Sequence, residues 1–237
     1  MALTFHPFLN PSTSPGNIDL FLHRSRILHE LRSASAHLRG TLLDLGCGSA
    51  PYKPLLLYPP FAVTNYIGLD RPGRDSRADL TWDGDTIPLG DASVDAAICT
   101  EVLEHCPDPG RVLGEIHRVL KPEGFLFVTV PFLWPLHEVP YDWQRLTPFA
   151  LDQLLRDAGF KMIKIQALGG WDSSLAQCLG LYLRRRPMPR ALRLILTALF
   201  FPFYRLLLAL GLGERVSFQE GQMITGLVAG AWASTNR

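Results

Sequence analysis

The chain has 237 residues, 47% of them hydrophobic and 19% charged, which suits one sizeable core with an appendage better than two full domains. Its 23 Lys and Arg balance 22 Asp and Glu to a net charge of +1, so no global field draws it to nucleic acid, and no nucleic-acid partner is expected. Cys47, Cys99, Cys106 and Cys178 form no CxxC pair and no metal-ligand spacing; reduced thiols and no metal are expected.

Residues 1–16 lack the basic and apolar regions of a signal peptide, which points to the cytoplasm. Residues 18–38 place Phe21, Leu28, Leu31 and Leu38 at helical spacing among charged residues, an amphipathic helix. From Thr41 the period shortens, and strands are predicted over 41–45, 65–69, 78–82, 94–99 and 124–130. The last two are continuous apolar runs suited to burial on both faces. Their alternation with helical patterns is the rhythm of an α/β fold with a mostly parallel sheet.

A helix is predicted over 109–120, ended by Lys-Pro-Glu-Gly. Another opens with Thr147 as N-cap and Pro148 in its first turn, and closes at Gly159 ahead of a strand over 160–167. Beyond Gly169, a helical pattern over 171–186 and a strongly apolar stretch over 191–212 precede a last strand within 222–234. The chain thereby divides into an N-terminal segment, 1–39, and a domain, 40–237, that carries an apolar helical insertion at 171–217 between strands six and seven.

The stretch Asp44-Leu45-Gly46-Cys47-Gly48 runs from an apolar strand into a glycine turn, where a backbone without side chains lets a ligand come close. A dinucleotide fingerprint needs a third glycine where Pro51 stands, and proline has no N–H to offer a pyrophosphate; a nicotinamide-dependent oxidoreductase is disfavoured. Asp44 before the turn repels a phosphate and attracts a ligand bearing ammonium and sulfonium charges, such as S-adenosylmethionine. Asp70, closing Tyr66-Ile67-Gly68-Leu69-Asp70, stands where a carboxylate accepts from ribose hydroxyls.

Taken with Asp83-Gly84-Asp85-Thr86-Ile87-Pro88-Leu89, Asp91–Asp95 and the run Cys99–His105, these motifs resemble, in order, those of the class I methyltransferase superfamily, in particular its small-molecule type 11 group. The resemblance covers residues 40–168. It implies a Rossmann-like, seven-stranded, mostly parallel sheet with helices on both faces, and S-adenosylmethionine as cofactor. It also implies roles: Asp44 near the methionine amino group, Gly46, Cys47 and Gly48 along the methionine moiety, and Asp70 at the ribose. Asp83 and Gly84 would meet the adenine, with Asp85 fitting the same place and Ile87 beside the ring, and Thr100 would border the methyl region.

Methyl transfer requires the acceptor to be oriented and, in many cases, deprotonated. Glu101 and His105 would share a helical face after the fourth strand, and His137 is the first choice of base in the loop 131–145. Trp134, Tyr141, Trp143 and Arg145 in that loop suit a polar small-molecule acceptor such as a sugar, a phenol or a lipid-linked glycan. An inactive cofactor-binding scaffold, docked through its apolar insertion, is the alternative. For residues 190–212, Pro202 and Arg205 argue against a simple spanning helix, while Arg184, Arg185, Arg186, Arg190 and Arg193 lie close by. A hairpin dipping into a membrane, a homodimer face and a cap on the sheet all remain open, and with the first of these a membrane-associated location.

Overall fold

The computed structural model describes residues 7–73 and 75–235. Seven strands form one sheet: β1 (Arg39–Leu45), β2 (Ala62–Asp70), β3 (Leu80–Thr81), β4 (Val94–Thr100), β5 (Leu120–Pro131), β6 (Phe160–Ala167) and β7 (Gly226–Ala233). Their order is β3-β2-β1-β4-β5-β7-β6. β1 to β5 pair in parallel, and β7 runs antiparallel between β5 and β6. The order reverses at β1 and β4, and there the carboxyl ends open a crevice for a ligand.

The apolar runs of β4 and β5 are continuous because both sheet faces are covered. On β5, Leu126, Val128 and Val130 face α3 (Pro109–Val119) and α4 (Pro148–Asp157), whose Val112, Leu113, Ile116, Leu151 and Leu155 complete that core. Phe125 and Phe127 face the other way, into a core with Ile27, Leu28 and Leu31 of α1 (Phe21–Ser33) and Leu56 of α2 (Lys53–Leu56). Caps fix both sheet-covering helices: Asp108 accepts from the Arg111 N–H at 3.0 Å and Thr147 from the Ala150 N–H at 3.2 Å.

Strand six matches its expected bounds, and α1 is shorter than the amphipathic pattern, with Leu38 buried beyond its end. The insertion is a helical pair, α5 (Trp171–Arg185) and α6 (Arg190–Gly211). α6 continues through Pro202, and it does not cap the sheet. Tyr204 and Leu207 pack with Ile18, Ala176 and Leu183 in a separate small core, and the Tyr204 hydroxyl donates to the Ile18 carbonyl at 3.0 Å. Most of its other apolar side chains, from Leu192 to Leu210, are exposed.

Candidate functional site

A cavity of about 490 Å³ opens at the carboxyl ends of β1, β2 and β4, a size suited to a nucleoside-sized ligand. Gly46 (φ 71°) and Gly48 (φ 52°) line it in the left-handed conformation that glycine adopts without strain. A Cβ on Gly46 would strike the Val102 side chain, whereas the space beside Gly48 is open. The turn is tied to β2, since the Leu69 carbonyl accepts from the Gly46 and Cys47 N–H groups at 2.7 and 3.2 Å. Asp70 Oδ2 accepts from the Gly48 N–H at 2.9 Å and Oδ1 from the Arg71 N–H at 2.8 Å, and each oxygen keeps a further lone pair on the cavity wall.

Asp44, expected at the methionine amino group, lies beneath this turn, 1% exposed and off the cavity wall. Burial pushes its carboxyl up to about 7; a hydrogen bond from the Tyr66 hydroxyl opposes that rise and the charge of Asp70 adds to it. Among the described residues its Oδ1 has no hydrogen-bond partner. A buried carboxylate oxygen left unpaired is costly, and a cation bound over the turn relieves that cost. The ammonium of S-adenosylmethionine fits this demand, as the open flank of Gly48 and the lone pairs of Asp70 fit its remaining parts.

The expected adenine residues divide. Gly84 (φ 97°) is on the wall, under the Arg71 guanidinium, where a Cβ would collide. Asp83 is exposed and off the wall: its Oδ1 accepts from the Asp85 and Thr86 N–H groups at 2.8 and 3.0 Å, which hold the carboxyl below its usual range. Asp85 pairs with Arg111 at 3.3 Å, and Ile87 is buried in the core. The Cys47 thiol points at Gly68 rather than into the cavity, and burial raises it to about 12. Cys47 is not on the cavity wall.

After β4 the chain does not enter an α-helix. Glu101 takes a left-handed backbone (φ 56°), and Leu103–His105 form a single 3-10 turn. Glu101 and His105 consequently do not pair along a helix face. Glu101 turns to other partners: Oε1 accepts from the Thr129 hydroxyl at 2.8 Å, and Oε2 lies 2.8 Å from His23 Nε2 on α1. Glu101 and His105 both line the cavity, while Thr100 ends β4 off its wall.

The loop after β5 folds over this edge. His137 Nδ1 lies 3.3 Å from Asp142 Oδ2, outside hydrogen-bond geometry, and its backbone N–H donates to the same oxygen at 3.1 Å. Arg145 grips Asp142 through two contacts of 2.5 and 2.8 Å, holding its carboxyl well below the usual range. The Gln144 amide donates to the carbonyls of Leu103 and Cys106 at 3.2 and 2.9 Å, which pins the loop to the 3-10 turn. Tyr141 reaches the cavity wall; His137, Trp134, Trp143 and Arg145 do not. The Trp134 ring lies tilted against His23 at 4.8 Å, and Trp143 is exposed, its backbone N–H donating to the Glu104 carbonyl.

Residues 43–128 match the methyltransferase domain family, a stretch running from β1 to β5 and containing the glycine turn, Asp70 and Glu101. The chain is 28% identical over 162 residues to the thiol S-methyltransferase TMT1B of Rattus norvegicus, covering 60% of this chain and 64% of that one. It is 34% identical over 175 residues to a probable S-adenosylmethionine-dependent methyltransferase of Mycolicibacterium smegmatis, covering 66% of each. The chain belongs to the class I S-adenosylmethionine-dependent methyltransferases. It spans about half to two thirds of the length of the first curated relatives it matches. Among solved structures it resembles the putative methyltransferase bound to the Haloferax volcanii Trm112 activator, with a TM-score of 0.58, 21% identity and coverage of 92% and 94%, a likeness of fold.

As a class I methyltransferase, the chain keeps the glycine turn and Asp70 where the motifs placed them, and it adds wall residues that the motifs did not mark. Arg71, beside the Tyr141 ring at 5.9 Å, and Trp82, whose buried Nε1 has no partner among the described residues, are two of them. His23, off the wall, is brought to Glu101 by tertiary packing of α1 with no motif to flag it.

Proposed function

We propose that this chain transfers the methyl group of S-adenosylmethionine to a hydroxyl or thiol of a small-molecule acceptor, with Glu101 taking the acceptor's proton. The bound cofactor supplies a methyl group activated on a sulfonium, so the protein's task is to orient the acceptor and accept a proton. The observation that carries this reading is Glu101 itself, a non-glycine residue held at positive φ with its carboxylate on the cavity wall between His23 and Thr129. Such a backbone costs about 1–3 kcal/mol and persists where the surroundings fix it, commonly at functional sites. Tyr141 and His105 supply an aromatic and a basic edge against which the acceptor lies. His137 stands behind that wall, so Glu101 replaces it as the base. Purified protein, incubated with methyl-labelled cofactor and a panel of thiols, phenols and sugars, should methylate a member of the thiol or phenol set. Cofactor binding without label transfer to any of them would favour the scaffold alternative.

We further infer that α6 rests on an anionic membrane surface. At 100° per residue, Ile195, Leu199, Leu206 and Leu210 fall on the face opposite Tyr204, and all are exposed along a helix about 33 Å long. Arg205 falls at the flank of this face, and Arg185, Arg186 and Arg190 are exposed at the α5–α6 bend, the basic rim of an interfacial helix. Flotation with vesicles containing phosphatidylserine should carry the protein, and replacing Leu199, Leu206 and Leu210 with Ser should release it. A stable dimer that does not float would assign the face to a second copy.

A further inference from the structure

Glu104 is the least expected group at this edge. The 3-10 turn Leu103–His105 carries it inward to 1% exposure, and among the described residues neither carboxyl oxygen has a hydrogen-bond partner. What faces it is two imidazoles. His105 Nε2 lies 3.7 Å and His137 Nε2 3.9 Å from Glu104 Oε1, with the rings in edge contact at 4.7 Å between centroids.

The tautomer of His105 follows from its far side. His105 Nδ1 is 3.1 Å from the Tyr141 carbonyl, which can only accept, so the proton sits on Nδ1 and Nε2 carries a lone pair. His137 Nδ1 lies 3.3 Å from the Asp142 carboxylate, itself clamped by Arg145. Two imidazoles thus converge on one buried carboxyl group, while a carbonyl and a carboxylate stand behind the rings. Imidazoles that bind metals are oriented in this way.

We propose that Glu104, His105 and His137 bind one divalent transition-metal cation, of the zinc or manganese type, beside the acceptor cavity. One ligand atom from each residue lies within 4.8 Å of the others. Ligand atoms about 2.1 Å from a shared ion stand about 3–3.5 Å apart, a difference that side-chain rotation closes. Two imidazoles and one carboxylate select a transition ion over magnesium, which prefers oxygen ligands and retains water. Three protein ligands leave positions open, and His105 places the ion at the cavity wall.

There the ion acidifies the acceptor's hydroxyl or thiol. The O–H or S–H bond breaks with its proton passing to Glu101, the acceptor atom bonds to the methyl carbon, and the carbon–sulfur bond of the sulfonium breaks to leave a thioether. This role rests on the methyl-transfer reading; ion binding does not.

The test is equilibrium dialysis of full-length, metal-stripped protein against Zn²⁺, Mn²⁺ and Mg²⁺, with cofactor affinity measured in parallel by calorimetry. One equivalent of Zn²⁺ or Mn²⁺ should bind, more tightly than Mg²⁺. His137→Ala, a change in a part-exposed loop residue that leaves the fold intact, and Glu104→Gln should each weaken binding at least about tenfold. Cofactor affinity should hold in both, and exposed His29→Ala should change neither. Absence of saturable binding, or equal binding by the wild type and the His137→Ala protein, overturns the site. Ion binding without methyl transfer to any acceptor would leave the site standing and remove the methyl-transfer reading instead.

Discussion

The two halves of the cavity are built by different means. The cofactor half, Gly46 to Asp70, comes from one β1–α2–β2 unit, in which the Gly48 N–H and the Asp70 carboxylate meet across two neighbouring parallel strands. The other half, where we propose that the acceptor binds, draws on three separate pieces: His23 on α1, Glu101 to His105 after β4, and the loop after β5. The first is therefore fixed by local sequence and strand register. The second depends on how distant segments dock, and so it is the half that can vary from one acceptor to another without disturbing the cofactor.

Removing Glu101 should separate the halves most sharply. Glu101→Gln keeps the shape and the hydrogen bond from Thr129 but cannot take a proton, so methyl transfer should fall about 10²–10⁴-fold. Cofactor affinity measured by calorimetry should stay within about threefold. An unchanged rate would take Glu101 out of the mechanism.

Asp70→Ala is the complementary break. It deletes the acceptor of the Gly48 N–H and the carboxylate on the wall, and charged hydrogen bonds are worth about 1.5–3 kcal/mol each. Cofactor affinity should drop about 10²-fold. At saturating cofactor, turnover should recover most of its value; persistent loss would mean that Asp70 also shapes the acceptor half.

The same division explains what the sequence made legible. Caps at Thr147, apolar runs on β4 and β5 and the glycine turn are local signals, and strands β4, β5 and β6 lie where the pattern places them within a few residues. Glu101 and His105 have helical spacing, but the left-handed backbone at Glu101 and the short 3-10 turn send their side chains to different partners. Arg145 and Trp143 have the composition of a binding loop, yet Arg145 spends its donors on Asp142 and on the carbonyls of Trp134, Pro135 and Gln144, fastening the loop to itself. The histidine–carboxylate cluster was illegible for a related reason. Cysteine spacing carries no trace of a site made by two adjacent residues and a third from the next loop. Likewise α6 reads as interrupted at Pro202, yet the helix runs on through it, the cost of about 3 kcal/mol set against the packing of Tyr204 and Leu207.

His23→Ala sharpens the comparison at the point where α1 meets the acceptor half. It removes the partner of Glu101 and the ring packed against Trp134. A decrease of about tenfold in kcat/KM for the acceptor, with cofactor affinity unchanged, is expected if His23 orients Glu101; loss of melting temperature alone would reduce α1 to a cover.

The smallest effect belongs to Asp44 and is read through pH. Its carboxyl is raised to about 7 by burial, so the folded protein holds a proton there that the unfolded chain releases near the ordinary value of about 3.9. The folded state binds more protons across this window, so stability contributed at Asp44 is fully present below about pH 4 and declines as pH rises toward about 7. Cofactor binding runs the other way, because its ammonium needs the ionised carboxylate. Affinity should improve about threefold between about pH 6.5 and about pH 7.5 as Asp44 ionises. Asp44→Asn should flatten both trends, raising the stability of the free protein at neutral pH while weakening cofactor binding. If Asp44→Asn keeps the wild-type pH dependence, the titrating group lies elsewhere, and Asp44 belongs with the core that supports the turn rather than with the cofactor half.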